Sequence, residues 1–253
     1  MASDPTAVYV YGIVPADVEP EPHATGVGDP PGDIAVVRHG EIAALISTLT
    51  SDRPLGTPED LTAHAELLDG SATVAPVLPL RFGAVMTDTE AVQSELLEAN
   101  DAEFRAALAE LEGRGQFVIK GRYVEDTLLR ELLEENADAA RLREEIRDKP
   151  QDATRNARIA LGELINQVIE AKRAEDTRAV AAELESLNPL VNERAPTDDE
   201  DAVHLAVLIE LDRQPELEET LRGLAENWDD RVELSLLGPM AAYDFVSAPN
   251  PAR

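Results

Sequence analysis

Val8-Tyr9-Val10-Tyr11-Gly12-Ile13-Val14, closed by Pro15, predicts a β-strand, because β-branched and aromatic side chains fit a pleated, packed surface. Outward from it, residues 16–31 are rich in Pro, Gly, Asp and Glu and predict an exposed loop. Ile34-Ala35-Val36-Val37 and Ile42-Ala43-Ala44-Leu45-Ile46 flank His39-Gly40, the pattern of a β-hairpin. Thr57 caps and Pro58 opens a short helix to about Leu68, and Val77 to Gly83 predicts a further strand. Asp88 and Thr89 start a helix whose apolar residues Val92, Leu96, Leu97, Phe104, Leu108 and Leu111 recur at helical spacing. Gly113 and Gly115 close a first domain, residues 1–114.

The second domain, residues 115–253, opens with a strand from Gln116 to Tyr123. Leu128, Leu132, Leu142 and Ile146 mark one helical stripe, Pro150 interrupts it, and Ile159, Leu161, Leu164, Ile165, Val168, Ile169, Val180 and Leu184 mark another. A helical hairpin over about 126–186, folding back at Pro150, lets the two stripes bury each other. Asn188 to Glu200 predicts a polar loop, Val203 to Leu211 a strand, and Pro215 to about Trp228 a helix. Arg231 to Leu237 predicts a last strand ending at Gly238-Pro239. The expected class is α+β, with a small antiparallel sheet and a helical hairpin in the second domain.

Charge sets the function classes. The 253 residues carry 51 Asp and Glu against 22 Lys and Arg, a formal net charge of -29. Such a surface repels itself, and molar salt, with a screening length of about 3 Å, removes most of that penalty. Lys120, Lys149 and Lys172 are the only lysines, and excess carboxylate with scarce lysine is the expectation for a halophile's cytoplasm. Binding to nucleic acid or to an anionic membrane needs clustered basic residues, which are not evident, so neither is an expected partner. No apolar stretch approaches the roughly 20 residues that span a bilayer. Met1-Ala2-Ser3-Asp4-Pro5 lacks the basic and apolar regions of a signal peptide, so a cytoplasmic protein is expected. Cysteine is absent, which removes disulfides, thiolate zinc sites and a cysteine nucleophile. With 43% apolar but only 4% aromatic residues, the cores must be aliphatic.

The chemistry-bearing residues form no constellation. His23, His39, His64 and His204 lie in four different segments without metal-ligand spacing and are expected to be exposed or strand-embedded. Asp198-Asp199-Glu200-Asp201 lacks the pattern of a calcium loop and predicts a solvated acidic turn. Gly113-Arg114-Gly115 follows a helix, the wrong order for a phosphate loop. No catalytic, cofactor-binding or metal site is expected, and no cofactor. Arg81 in Leu78-Pro79-Leu80-Arg81-Phe82-Gly83 is read either as a structural ion pair locking the sheet or as part of a binding surface with Phe82. Tyr243 and Phe245, after the final strand, either pack onto a domain or meet a partner.

Five segments in this order resemble the gas vesicle protein F/L family: Tyr9-Val10-Tyr11-Gly12-Ile13-Val14, Gly40-Glu41-Ile42-Ala43-Ala44-Leu45-Ile46-Ser47, His64-Ala65-Glu66-Leu67-Leu68, Pro79-Leu80-Arg81-Phe82-Gly83, and Leu237-Gly238-Pro239 with Tyr243-Asp244-Phe245-Val246. The acidic composition suits the haloarchaeal branch. The resemblance implies a ferredoxin-like N-terminal domain in a two-domain α+β protein. It also implies a non-enzymatic accessory role, binding the major gas vesicle shell protein and other accessory proteins during vesicle assembly. One departure is that the family's Gly-Pro-Trp-Pro-Pro-Tyr reads here Gly238-Pro239-Met240-Ala241-Ala242-Tyr243. The competing reading is a ferredoxin-like small-molecule-binding regulator or an unrecognised enzyme, marked by a deep pocket with converging polar groups; a third treats the hairpin as an oligomerisation arm.

Overall fold

The computed structural model describes residues 7–20, 24–49, 54–228 and 231–246. The N-terminal segment Met1 to Pro5 and His23 lie outside the described residues.

The first sheet contains β1 (Val8–Pro15), β2 (Ile34–His39), β3 (Ile42–Thr48) and the two-residue strands β4 (Leu78–Pro79) and β5 (Val85–Met86). Its order is β2-β3-β1-β4, with β5 also paired to β1. All pairings are antiparallel, and the hairpin runs from Ile34 opposite Ser47 to His39 opposite Ile42. Because β3 and β4 both run against β1, the helix α1 (Pro58–Ala72) is a crossover between parallel strands, as in ferredoxin-like folds.

β1 holds the middle of this sheet and is buried on both faces. Its register slips between Val10 and Gly12, so the alternation changes phase midway. Val8, Val10 and Ile13 consequently join one cluster with Val92, Leu97 and Phe104, while Tyr9, Tyr11 and Val14 join another with Val27, Leu45 and Leu68. Gly12 makes the slip feasible, since a Cβ there would come within 2.8 Å of the Leu78 carbonyl oxygen.

The expected strand from Val77 to Gly83 is interrupted. Pro79 has no N–H to donate and Gly83 takes φ +91, so residues 80–84 leave the ladder as a turn between β4 and β5. The helix expected from Asp88 onward is also divided, into α2 (Thr89–Ala91), a π-helical stretch (Val92–Glu98) and α3 (Asp101–Leu111). The break falls at Asn100, whose side chain donates to the Leu96 carbonyl at 2.7 Å in competition with the backbone. The loop over residues 16–33 is less exposed than expected, because Gly26 and Val27 are buried beneath the Tyr11 hydroxyl.

The second sheet contains β6 (Arg114–Tyr123), β7 (Leu190–Glu193), β8 (Asp201–Glu210) and β9 (Val232–Met240) in the order β7-β8-β6-β9. Tyr123 donates to Glu200 at one end and Leu211 to Gly113 at the other, so β6 and β8 are antiparallel. In chain order this repeats the connectivity of the first sheet, with α7 (Gln214–Asn227) in the place of α1. The other crossover differs. The first sheet uses a loop; the second uses α4 (Glu125–Glu135), α5 (Ala137–Ile146) and α6 (Gln151–Glu183). Pro150 separates α5 from α6 as expected, standing just before α6, but the hairpin's first arm is broken at Asn136, whose side chain accepts from the Asp138 and Ala139 amides.

Two expectations fail in this sheet. The polar segment after Asn188 contains β7, an edge strand exposed at all four residues and therefore without any apolar alternation. β9 continues through Gly238 and Pro239 to Met240, because an edge strand tolerates proline. Gly238 takes φ +127 where a Cβ would lie 2.7 Å from the Gln116 carbonyl oxygen.

The contacts form two compact units. The first comprises the described residues to Phe117, Leu208–Asp212 and the segment from Gly238; the second comprises Val118–Val207 and Arg213–Leu237. This differs from a division at 114/115, because the C-terminal segment returns to the first unit, where the Ala241 amide donates to Asp69 at 3.0 Å.

Candidate functional site

The turn over residues 80–84 is held from below. Gly83 N–H donates to the Tyr9 hydroxyl at 3.0 Å, and that hydroxyl lies 2.9 Å from His64 Nδ1. Since His64 also bonds the Leu80 carbonyl, its Nε2 carries the proton, and Nδ1 accepts from Tyr9. Burial pulls the imidazole pKa down to about 4, against the opposing effect of the Leu80 carbonyl, so the ring is neutral at pH 7. Burial likewise raises the Tyr9 and Tyr11 pKa values.

Three of the nine aromatic residues gather on this imidazole. Tyr11 stacks on it at 5.7 Å, and Tyr9 and Phe82 meet it edge-on at 5.8 and 5.5 Å. The Tyr11 hydroxyl meets Ser47 at 2.8 Å and accepts from Val27 N–H at 2.8 Å. Asp60, buried one turn before His64, accepts from the amides of Gly28, Gly56 and Thr57 at 3.0 to 3.1 Å and completes the α1 capping box. The donors and acceptors in this knot are satisfied within the fold, which makes it a support for the turn.

Arg81 stands on that turn, exposed, and pairs with no carboxylate among the described residues. The ion-pair reading is therefore set aside; the arginine left the ladder with the turn. Phe82 is half-buried, with its ring 5.9 Å from Tyr9. Tyr243 is 38% exposed, its pKa is raised first by burial and then by Asp69 and Tyr9, and Ala241, two residues before it, packs in the cluster of Tyr9 and Phe82. Phe245 is half-buried in a separate small cluster with Leu111, Leu208 and Ala242. The structure thus brings Phe82 to Tyr9 and docks the segment carrying Tyr243 on the same cluster through Ala241, leaves Arg81 without an ion pair among the described residues, and uses Phe245 for packing.

The other marked residues are dispersed. His39 and His204 lie half-buried on β2 and β8, and the fully helical, buried His64 fits neither expectation. Its signal was the spacing Asp60, His64, Leu68, Ala72, one buried stripe of α1. The acidic turn is solvated only in part. Asp201 is 1% exposed and accepts from the Thr197 hydroxyl and amide; against the cost of burial, these bonds together with Lys120 and the Asp198 amide hold its carboxyl down to about 2. Among the described residues, no group of three or more His, Asp or Glu side chains is placed to hold a metal ion. No described helix is long and apolar enough to cross a membrane.

A second buried network was not anticipated. Arg231 grips Asp176 through two bonds of 2.7 and 2.8 Å, Tyr123 donates to the same carboxylate at 2.8 Å, and Trp228 lies 5.3 Å beneath the guanidinium. Lys172 joins Glu131 and Glu135 beside it, at 2.7 and 2.8 Å. These contacts fasten α4 and α6 to the ends of β6 and β9. Only the conjunction of Asp176 and Arg231 with aromatic residues far away in sequence could have revealed them, and no local pattern encodes that.

Comparison with known proteins bears on all of this. Gas vesicle protein F of Streptomyces sp. (strain CB03234) is 27% identical over 246 residues, covering 95% of this chain and 99% of the relative. The corresponding protein of Dolichospermum flosaquae is 24% identical over 244 residues, covering 94% and 97%. The crystal structure of GvpF from Anabaena sp. PCC7120 superposes with a TM-score of 0.78 at 22% identity, covering 96% of this chain and 98% of that one. That of GvpF from Microcystis aeruginosa gives 0.73, also at 22% identity, covering 95% and 98%. These likenesses establish the α+β fold with its two antiparallel sheets. The family model described as gas vesicle synthesis protein GvpL/GvpF matches residues 7–247, from β1 to beyond Tyr243 and Phe245, and the chain belongs to that family.

Proposed function

We propose that this is a non-catalytic accessory protein of gas vesicles, working in the cytoplasm and at the vesicle. It binds the major shell protein and other accessory proteins during assembly, and it belongs to the haloarchaeal branch. Family membership supports the gas vesicle role. The observation that carries binding is the surface around the 80–84 turn. On a chain of net charge -29, it leaves Phe82, Val85 and Tyr243 partly open beside Arg81, which has no ion pair among the described residues.

A hydrophobic shell protein would aggregate before assembly. An acidic partner covering its apolar face keeps the pair dispersed, since like-charged complexes repel one another. Arg81 adds the charged residue type most favoured at interfaces. Phe245 anchors the segment that presents Tyr243.

The test is co-purification of the shell protein with the tagged full chain in molar KCl. Capture by the native chain and its loss from a Phe82→Ser/Tyr243→Ser variant that remains folded is the expected result. No capture by the native chain would refute the proposal.

A further inference from the structure

We propose that the groove between α4, α5 and the outer half of α6 is a docking site for an acidic amphipathic helix of a partner protein. This rests on the reading of the molecule as a binding protein, but not on the identity of the shell protein as ligand.

The two sheets share one connectivity, and in the first sheet a loop suffices where the second has α4, α5 and α6. These helices are therefore surplus to closing the sheet, and an insertion on a common scaffold is where recognition resides. At 33 residues, α6 extends about 50 Å. Its end near Asp176 to Val180 is buried. Farther out, Leu161, Leu164, Ile165 and Val168 are only half-covered, and Ile159 is 51% exposed.

The half-covered stripe borders a groove of about 510 Å³, lined by Leu129, Leu132, Leu133, Leu161 and Ile165, with Arg130 and Arg143 in its wall against a single carboxylate, Asp126. That volume is within the usual range for a binding cleft. The charged residues that line the groove are two arginines and one aspartate, although α4 as a whole carries five carboxylates against Arg130; the neighbouring turn and helix ends are basic. Residues 141–158 hold six basic side chains against four acidic ones, whereas the whole protein is at -29. Arg130, Arg143, Lys149 and Arg155 form no ion pair among the described residues.

An apolar groove with free guanidinium groups at its edge fits a helix with aliphatic residues at i, i+3, i+4 and i+7 and carboxylates flanking them. A second copy of this chain is a poor occupant. Its acidic helix α7 already buries Leu217, Leu221 and Leu224 within its own fold and has no free apolar stripe to offer. Nucleic acid would use the basic residues but leave the leucines unmatched, and anionic lipid is separated by the vesicle arm of the test.

The experiment uses the full chain and a fluorescein-labelled peptide of about 18 residues, roughly 27 Å as a helix, with leucine at those positions and glutamate on the flanks. Saturable binding in moderate KCl is expected, with at least about tenfold weakening for Arg130→Glu/Arg143→Glu, two changes at exposed positions that leave the core intact. A lysine-flanked peptide should show the reverse preference between native chain and variant. Equal binding of a shuffled peptide, undiminished binding by the variant, or capture of anionic phospholipid vesicles in place of the peptide would overturn the inference. The variant's retention of the shell protein is read separately. Retention alongside failure of all peptide binding removes only the groove, whereas loss of shell-protein capture by the native chain removes the preceding proposal.

Discussion

His64 is neutral inside its aromatic cage, and that has a consequence in solution. Its folded pKa of about 4 lies below the ordinary 6.5, so the stability tied to it is complete above pH 6.5. Between pH 6.5 and 4 the unfolded chain takes up a proton that the folded chain does not. Stability therefore falls through that window, by about 3 kcal/mol in all. Urea unfolding of the native chain and His64→Gln across pH 8 to 4 at fixed KCl should show this component only in the former. Parallel curves would contradict it. Tyr9→Phe leaves the Gly83 amide and His64 Nδ1 without their partner and should cost about 1–3 kcal/mol by denaturant unfolding. Arg81→Ala, by contrast, should change stability by no more than about 0.5 kcal/mol, because the side chain is exposed; a loss of several kcal/mol would restore the ion-pair reading.

Among the elements, the Asp176–Arg231 pair ties the helical insertion to the second sheet through two charge-assisted bonds. Removing one partner leaves the other buried, so Asp176→Ala should destabilise by about 3–5 kcal/mol. Trp228, the sole tryptophan, sits against Arg231 and supplies the fluorescence signal for that measurement. Elements with two covered faces or a clear cap were legible in the sequence: β1, the β2-β3 hairpin, α1 with Thr57 and Pro58, β8, and α7 with Pro215. What escaped were places where a local side chain competes with the backbone, as at Asn100 and Asn136, and where an element has no buried face, as in β7. The interruption at residues 80–84 was signalled by Pro79 and Gly83, although the apolar run around them reads as continuous strand.

At the scale of the whole molecule, the sheet order common to both halves was hidden because one crossover is a loop and the other about sixty residues of helix, so no fixed period survives. The candidate surface was partly legible: the turn motif and Tyr243 stand out as apolar residues in an acidic chain. Its support from His64 depends on contacts between residues as far apart as Tyr9 and Gly83. The basic bias of residues 141–158 was present in the sequence but masked by the overall charge. That overall charge predicts stronger folding in concentrated than in dilute KCl, read as a higher urea midpoint, because salt screens self-repulsion. The most direct measurement is gas vesicle content, counted by electron microscopy, in a vesicle-forming host whose own copy of this gene is deleted. Loss of vesicles, with recovery on supplying the native chain but not the folded Phe82→Ser/Tyr243→Ser variant, is predicted; undiminished vesicles in the clean deletion would contradict an assembly role.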